Sequence, residues 1–159
     1  MSALWLRSAR VVRLCEIVTG VIFAWAGLSK IGDLAAFAVQ IHNFRIMPVT
    51  LENLAAITLP WIEIVIALSL ILGIRSRDAA RTALALLVVF TLAVVSAVAR
   101  GLDIECGCFG TADASHVGWL KIAENLGMIA VAFVAVLGPA PAADRVPGVG
   151  RLETGDART

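Results

Sequence analysis

Two cysteines separated by one glycine are the residues of this sequence best suited to chemistry. Cys106 and Cys108 lie in the motif E-C-G-C-F-G, with Gly107 between them. Residues two apart can bring their Cα atoms within the roughly 4.4–6.8 Å that a disulfide accepts, and the strain of so small a ring makes the bond easier to reduce. We therefore expect thiol–disulfide exchange, in which a partner thiolate attacks one sulfur and the second cysteine resolves the mixed disulfide.

The same pair of cysteines admits two other interpretations. A structural disulfide is one, although closing so short a loop contributes little entropic stabilisation. A metal site is the other, with Asp113 and His116 completing four ligands, although zinc sites usually space their cysteines two to four residues apart. The third cysteine, Cys15, lies far from the pair in the sequence, and we expect it to be a small buried hydrophobe.

Several polar residues interrupt stretches that are otherwise apolar. Glu63 falls near the middle of one such stretch, where an ionisable group is costly and indicates a function. We expect it either to move protons in quinone or thiol chemistry or to be a protonated acid bonded to a neighbouring helix. Lys30, at the end of an earlier stretch, is expected to anchor at the membrane interface, to pair with Glu63, or to place a cation near the thiols. Asn125 is expected to bond across helices, and Glu16 to extend toward the nearer membrane surface.

The composition indicates which elements must position these residues. Of the 159 residues, 60% are hydrophobic and only 16% are charged, and the mean hydropathy is +0.92. Four long apolar stretches, at about 11–30, 54–74, 80–99 and 120–138, approach the roughly 20 residues that cross a bilayer as a helix. None of them alternates like the strand of a barrel. We therefore predict an all-α integral membrane protein built as a four-transmembrane-helix bundle.

Two segments outside these spans have patterns of their own. Between the first two spans, apolar residues recur at helical spacing up to Pro48, which predicts a short amphipathic helix. These apolar residues are Leu34, Phe37, Ala38, Ile41, Phe44 and Ile46. The final segment, 139–159, is rich in proline, glycine and alanine, and we expect a flexible tail after a membrane domain of residues 1–138.

The basic residues are unequally divided between the two sides of the predicted bundle. Nine of the thirteen lie before or at the start of the first span, between the second span and the start of the third, or after the fourth. By the positive-inside rule we expect a multi-pass protein of the bacterial cytoplasmic (inner) membrane with both termini in the cytoplasm. The segments at about 29–53 and 100–120 then face the periplasm, where disulfides form and persist. The net charge of +1 gives no reason to expect a nucleic acid partner.

The motifs, taken in order, resemble those of the MauE-like branch of the DoxX-like redox-associated membrane proteins, the branch of methylamine utilisation protein MauE. The resemblance covers about residues 11–137. It is carried by A-G-L-S-K ending at Lys30, L-P-W-I-E ending at Glu63, C-G-C-F-G beginning at Cys106, and Asn125. It implies a four-helix membrane protein that works with a thioredoxin-fold periplasmic protein in maturing the disulfide-rich small subunit of a periplasmic dehydrogenase.

The residues and the resemblance together predict a membrane thiol–disulfide redox protein, whose enzyme class would be thiol–disulfide oxidoreductase. Cys106 and Cys108 are the predicted catalytic pair, and Lys30 and Glu63 are the further catalytic candidates. A quinone is the candidate cofactor. The candidate partners are a thioredoxin-fold periplasmic protein, membrane lipid and the subunits of a larger redox complex. The alternatives are a non-catalytic subunit or assembly factor of such a complex with a structural cysteine pair, or a metal-handling membrane protein.

Overall fold

Five helices make up the part of the chain that the structure, a computed structural model, describes: residues 8–104 and 118–137. They are α1 (Ala9–Ile31), α2 (Leu34–Asn43), α3 (Val49–Leu72), α4 (Ser76–Ala99) and α5 (Trp119–Leu137). All except α2 are long and apolar enough to cross a membrane. The predicted all-α integral membrane protein, with four spans and a short helix between the first two, is therefore confirmed.

Helix α3 begins and ends earlier than the span predicted at 54–74. It starts at Val49, directly after Pro48, whose extended backbone (φ −70°, ψ 150°) leads into the helix. Glu52 in the first turn is buried, and its Oε2 lies 2.9 Å from His42 Nδ1, so this polar turn packs against α2 instead of forming a loop. The helix ends at Gly73, which adopts the left-handed conformation (φ 75°) that favours glycine.

Helices α1 and α3 run antiparallel in close contact. Gly20 and Gly27 lie about two turns apart on α1 and face α3. A Cβ atom at Gly20 would lie 2.8 Å from Ile71 Cγ1, and one at Gly27 would lie 2.9 Å from the Pro60 carbonyl oxygen. Both distances are too short for a side chain, so glycine permits the approach. Small residues at helix contacts are typical of membrane bundles, where close packing of backbones drives association.

The bundle is packed with small residues inside and presents large apolar residues outward. Alanines from three of the spanning helices are at most 1% exposed: Ala67, Ala80, Ala83, Ala97 and Ala132. By contrast, Trp25 and Leu28 of α1 are each 62% exposed, and Trp61 of α3 is 58% exposed. This distribution suits a bundle whose outer surface is in contact with lipid.

The two ends of the bundle are named here after one residue each. At the Arg13 end, α1 and α4 begin and α3 and α5 end; the Lys30 end is the opposite one. Arg13 donates hydrogen bonds to the carbonyl oxygens of Leu70 (2.8 Å) and Ile71 in the last turn of α3. These carbonyls have no partner within their own helix, and a cation beside them also stabilises the negative end of the helix dipole.

Glu16 lies elsewhere than the sequence predicted. We expected its side chain to extend toward the membrane surface, but Glu16 is only 7% exposed. One carboxylate oxygen accepts a hydrogen bond from the Ser76 hydroxyl at 2.7 Å, and the other accepts from Arg13 Nη1 at 3.1 Å. The expectation was wrong because both oxygens find donors inside the protein, one of them on a helix sixty residues away in the sequence.

Helix α2 packs its apolar face on the Lys30 end of the bundle. Phe37 and Phe44 are 5% and 6% exposed, and Phe44 packs in a cluster with Val94 of α4 and with Ile104. Arg100, directly after α4, donates a hydrogen bond to the Phe44 carbonyl at 2.6 Å. These contacts fix the end of α2 against the end of α4, and they determine how α2 lies over the interior of the bundle.

Candidate functional site

The candidate site centres on an ion pair between two spanning helices. Lys30 Nζ lies 2.7 Å from Glu63 Oε1 and 2.9 Å from Glu63 Oε2. The two side chains are 4% and 16% exposed, respectively. Of the three roles expected for Lys30, the structure shows the one in which it pairs with Glu63.

The crossing of α1 and α3 explains why these two side chains meet. Lys30 follows Gly27 by three residues, Glu63 follows Pro60 by three, and Gly27 lies against the Pro60 carbonyl. Because the helices are antiparallel, three residues onward leads toward the Lys30 end on α1 and toward the Arg13 end on α3. The Cα atoms of Lys30 and Glu63 therefore lie on opposite sides of the crossing. Helical side chains lean toward the N-terminus of their own helix, so the side chains of Lys30 and Glu63 lean toward each other.

Helix α2 covers the ion pair with an aromatic ring. Lys30 Nζ lies 5.3 Å from the centroid of the Phe37 ring, within the roughly 6 Å over which a cation is attracted to a ring face. The ammonium is thus held by a carboxylate and by an aromatic face. Since the formal charges of Lys30 and Glu63 cancel, the pair as a whole brings no net charge into the bundle.

A mostly apolar cavity of about 200 Å³ lies beside the ion pair. Helices α1 to α5 all contribute to its lining. Its polar side chains are those of Lys30, Gln40, Glu63 and Asn125. Four phenylalanines also line it: Phe23, Phe37, Phe44 and Phe90.

Two amide side chains in this lining are buried with unpaired atoms. Gln40 of α2 is 6% exposed, and Asn125 of α5 is 2% exposed. Among the described residues, Gln40 Oε1 and Asn125 Nδ2 have no hydrogen-bond partner. The expected bond from Asn125 across the helices is therefore not made by its Nδ2 within this part of the chain. An unpaired buried polar atom is costly, so both atoms are available to a ligand.

Gln40 is the residue of the site that the sequence interpretation missed. It shares one face of α2 with Phe37, three residues before it, and with Phe44, four residues after it. A polar residue on the apolar face of an amphipathic helix was the signal that could have identified it. That signal was missed because the apolar face of α2 was interpreted only as the side by which an amphipathic helix rests on the membrane.

Several predicted site residues lie outside the described residues. The segment 105–117 contains four of them: Cys106, Cys108, Asp113 and His116. Residues 139–159, the predicted tail, also lie outside. The described residues that flank the cysteine segment, Ile104 and Gly118, are both at the Lys30 end. Cys15 is half-buried and packs against the interior of the bundle.

The fold and the site define a small multi-pass membrane protein with a polar site inside its bundle. Its four spanning helices surround an ion pair of zero net charge and a mostly apolar cavity. A family model described as methylamine utilisation protein MauE matches residues 8–138, which include all five helices. The chain therefore belongs to the MauE family, and the resemblance to MauE inferred from the motifs is confirmed.

Three relatives named methylamine utilization protein MauE are similar to this chain. The protein from Paracoccus denitrificans is 35% identical over 124 residues, which cover 77% of this chain and 67% of the relative. The protein from Methylorubrum extorquens is 38% identical over 113 residues, or 70% of this chain and 61% of the relative. The protein from Paracoccus versutus is 36% identical over 136 residues, or 84% and 72%. The chain thus spans 61% to 72% of the length of these relatives. No solved structure matches it.

Proposed function

We propose that the protein is a membrane thiol–disulfide exchange protein associated with methylamine utilisation, with Cys106 and Cys108 as its redox couple. The observation that carries this proposal is the match of residues 8–138, which include the C-G-C motif, to the MauE family. The relatives bear the name of methylamine utilisation. A cysteine pair with one residue between its members is suited to attack and resolution in turn.

The proposed location is the bacterial cytoplasmic membrane, with the Lys30 end toward the periplasm and both termini in the cytoplasm. The distribution of basic residues supports this orientation, because Arg75, Arg77 and Arg81 cluster where α3 leads into α4 at the Arg13 end. Ile104 and Gly118, the described residues on either side of the cysteine segment, are both at the Lys30 end. In this orientation the segment with the cysteines belongs to the oxidising compartment.

The proposed partner is a periplasmic protein with a thioredoxin fold, which presents a cysteine pair of its own. A thiolate of the reduced protein attacks a sulfur of the oxidised one, which forms a mixed disulfide and releases one thiolate. The second cysteine of the attacking pair then displaces the partner, whose two sulfurs leave as thiolates. Two electrons have passed from one pair to the other, and the reduction potentials of the two pairs set the direction.

Lys30 and Glu63 support this exchange from inside the bundle in the proposed function. Converting two thiols to one disulfide releases two protons, which the two new thiolates of the other pair take up, so groups that accept and pass protons near the Lys30 end are useful to the reaction. Nζ of Lys30 and Oε1 of Glu63 are 2.7 Å apart, which allows a proton to move along their hydrogen bond. The pair also joins α1 to α3, and this holds the Lys30 end in place.

Replacing the cysteines tests the proposal. In cells that express the Cys106→Ser, Cys108→Ser double variant, we expect the thioredoxin-fold partner to lose the redox state that the parent protein gives it. The single variant that keeps the attacking cysteine should accumulate a mixed disulfide with that partner, because the resolving thiol is missing. The measurement is alkylation of free thiols after acid quenching, followed by mass spectrometry. Cys15→Ser is the matched control, since it removes a cysteine outside the pair and should leave both readouts unchanged.

Three results would contradict the proposal. The first is a partner whose redox state is the same with the double variant as with the parent. The second is a cysteine pair that is fully oxidised under every growth condition, which would indicate a structural disulfide in a non-catalytic subunit or assembly factor. The third is stoichiometric zinc or copper in the purified protein, lost in the double variant, which would indicate metal handling.

A further inference from the structure

We propose that the cavity beside the Lys30–Glu63 pair binds the head group of a lipid-soluble quinone in its quinone or quinol form. The cavity is lined by residues of helices α1 to α5 and of the α2–α3 connection, and it has a volume of about 200 Å³. The proposal concerns binding alone, so it holds whether or not the cysteine pair exchanges disulfides. It is argued from the charge of the lining, its unpaired atoms, its aromatic rings and its access to lipid.

The charge of the lining favours a neutral ligand. Lys30 and Glu63 are the charged residues among those that line the cavity, and they are paired at 2.7 and 2.9 Å. An anionic phospholipid head group would meet no unpaired cation here and would have to lose its hydration shell, which is costly. A quinone carries no charge, and neither does its two-electron reduced form with both oxygens protonated.

The unpaired amide atoms favour a ligand with oxygen atoms that accept and donate hydrogen bonds. Asn125 Nδ2 is a donor without a partner in the described chain, and Gln40 Oε1 is an acceptor without one. A quinone carbonyl accepts a hydrogen bond from Asn125, and a quinol hydroxyl donates one to Gln40. A quinol has two hydroxyls on opposite edges of its ring and can satisfy both amides at once. The two residues are on different helices, α2 and α5, so a ligand with two oxygens can bridge them.

The aromatic residues and the route of access favour a flat ring on an apolar tail. Phe37, Phe44 and Phe90 line the cavity and offer surfaces for a planar ring. Two further lining residues, Ile46 and Val89, are 50% and 65% exposed on the outer surface of the bundle. Because they belong to the α2–α3 connection and to α4, a molecule dissolved in the bilayer can enter between these elements and leave its tail in the lipid.

Binding of decylubiquinone to the purified full-length protein in detergent micelles tests this inference, with protein-free micelles as the blank. We expect saturable binding of one molecule per chain. Asn125→Leu and Gln40→Met should each weaken the affinity about tenfold, the loss expected when one buried hydrogen bond is removed. Asn53→Leu is the matched control, because Asn53 is exposed on α3 and should leave the affinity unchanged.

A cavity-filling variant keeps the test decisive if either amide variant fails to fold. Ala93 lines the cavity from α4, so Ala93→Leu should abolish binding, whereas Ala99→Leu at an exposed position of the same helix should not. The Cys106→Ser, Cys108→Ser double variant should bind decylubiquinone like the parent, which separates this inference from the proposed function. The inference would be overturned if the parent showed no saturable binding, if Ala93→Leu bound as well as Ala99→Leu, or if the neutral lipid monoolein displaced decylubiquinone at equal concentration.

Discussion

Lys30 and Glu63 stabilise the bundle only as long as both are present. Lys30 is buried and Glu63 is largely buried, with side chains that are 4% and 16% exposed, and each supplies the charge that the other needs. Removing one partner of a buried pair leaves the other charge without compensation, which costs about 3–5 kcal/mol, whereas replacing both with apolar residues is often nearly neutral. The energetic consequence of the pair is therefore a strong coupling between two positions rather than a large net stabilisation.

We expect Lys30→Met to lower the free energy of unfolding in detergent by about 3–5 kcal/mol, with a similar loss for Glu63→Met. The double variant Lys30→Met, Glu63→Met should recover most of that loss, because it leaves no unpaired charge. The measurement is reversible unfolding of the purified protein in mixed micelles, followed by circular dichroism. The three variants together form a double-mutant cycle.

The exposed pair of Arg81 and Asp78 gives the matched control for this cycle. Their side chains are 60% and 55% exposed, and their charged atoms are 3.3 Å apart. Arg81→Met should change the stability by less than about 1 kcal/mol, as is usual for exposed ion pairs. If the double variant at Lys30 and Glu63 is as unstable as the sum of the single variants, the two residues are not energetically coupled and this account of the site is wrong.

At the scale of single residues, the sequence identified the residues of the site better than it identified their partners. Glu63 and Lys30 were recognisable because charged residues are rare in long apolar stretches. Which of three roles Lys30 takes depends on where α1 crosses α3, and hydropathy does not contain that information. Glu16 shows the same limit, since its donor Ser76 is distant in the sequence. Gln40 was missed because its surroundings form only when α2 packs on the bundle.

At the scale of the elements, the contact between α1 and α3 depends on glycine. A side chain at Gly27 would collide with backbone, because its Cβ would lie 2.9 Å from the Pro60 carbonyl oxygen and 3.0 Å from Ile64. Backbone atoms cannot rotate away as the end of a side chain can. Since Lys30 and Glu63 are each three residues beyond this contact, separating the helices there also separates the ion pair.

We expect Gly27→Leu to destabilise the protein by at least the roughly 1–3 kcal/mol that is typical of an overpacked contact, and to break the pairing of Lys30 with Glu63. The loss of pairing is measurable in the same cycle: in the Gly27→Leu background, the coupling energy between the two positions should fall toward zero. A coupling energy that is unchanged from the parent would contradict the role given to this crossing.

Gly127 in α5 provides the control for this substitution. A Cβ atom there would meet no atom within 4 Å, so Gly127→Leu places the same side chain in open space. We expect its free energy of unfolding to equal that of the parent or to rise slightly, because glycine is a poor helix former. Equal destabilisation by Gly27→Leu and Gly127→Leu would show that the effect comes from losing glycine in general and not from the contact with Pro60.

The elements themselves were largely predictable, whereas their ends were not. Four helices follow from the length and apolarity of the stretches, because a backbone in lipid must satisfy its own hydrogen bonds. The start of α3 at Val49 did not follow, because Glu52 made this turn resemble a loop. Its burial against His42 of α2 permits the longer helix, and this is a tertiary contact. Gly73, by contrast, ends α3 for a local reason that the sequence contains.

At the scale of the whole molecule, the bundle has two unlike ends. The Arg13 end is closed by side chains that bond to each other and to the carbonyls at the end of α3, through Arg13, Glu16 and Ser76. The Lys30 end carries α2, the cavity and the connections to the cysteine segment. The structure determines which segments share an end, and the distribution of arginines supports the proposed side for each end. The grouping of segments comes from contacts and the side of each end comes from charge, so the two arguments are independent. One labelling experiment tests both.

Labelling with a membrane-impermeant maleimide in intact cells tests the orientation. We start from a protein in which Cys15, Cys106 and Cys108 are replaced by serine and introduce one cysteine at a time. Thr50→Cys lies at an exposed position at the start of α3, at the Lys30 end, and Ile74→Cys lies in the exposed turn after α3, at the Arg13 end. If the Lys30 end faces the periplasm, Thr50→Cys should react in intact cells, whereas Ile74→Cys should react only after the membrane is opened. If both cysteines react once the membrane is opened, each site is accessible to the maleimide. A difference between them in intact cells then reports only the side of the membrane.

The reverse labelling pattern would place the Lys30 end in the cytoplasm. There, disulfides seldom persist, and the redox function proposed for Cys106 and Cys108 would have to be abandoned.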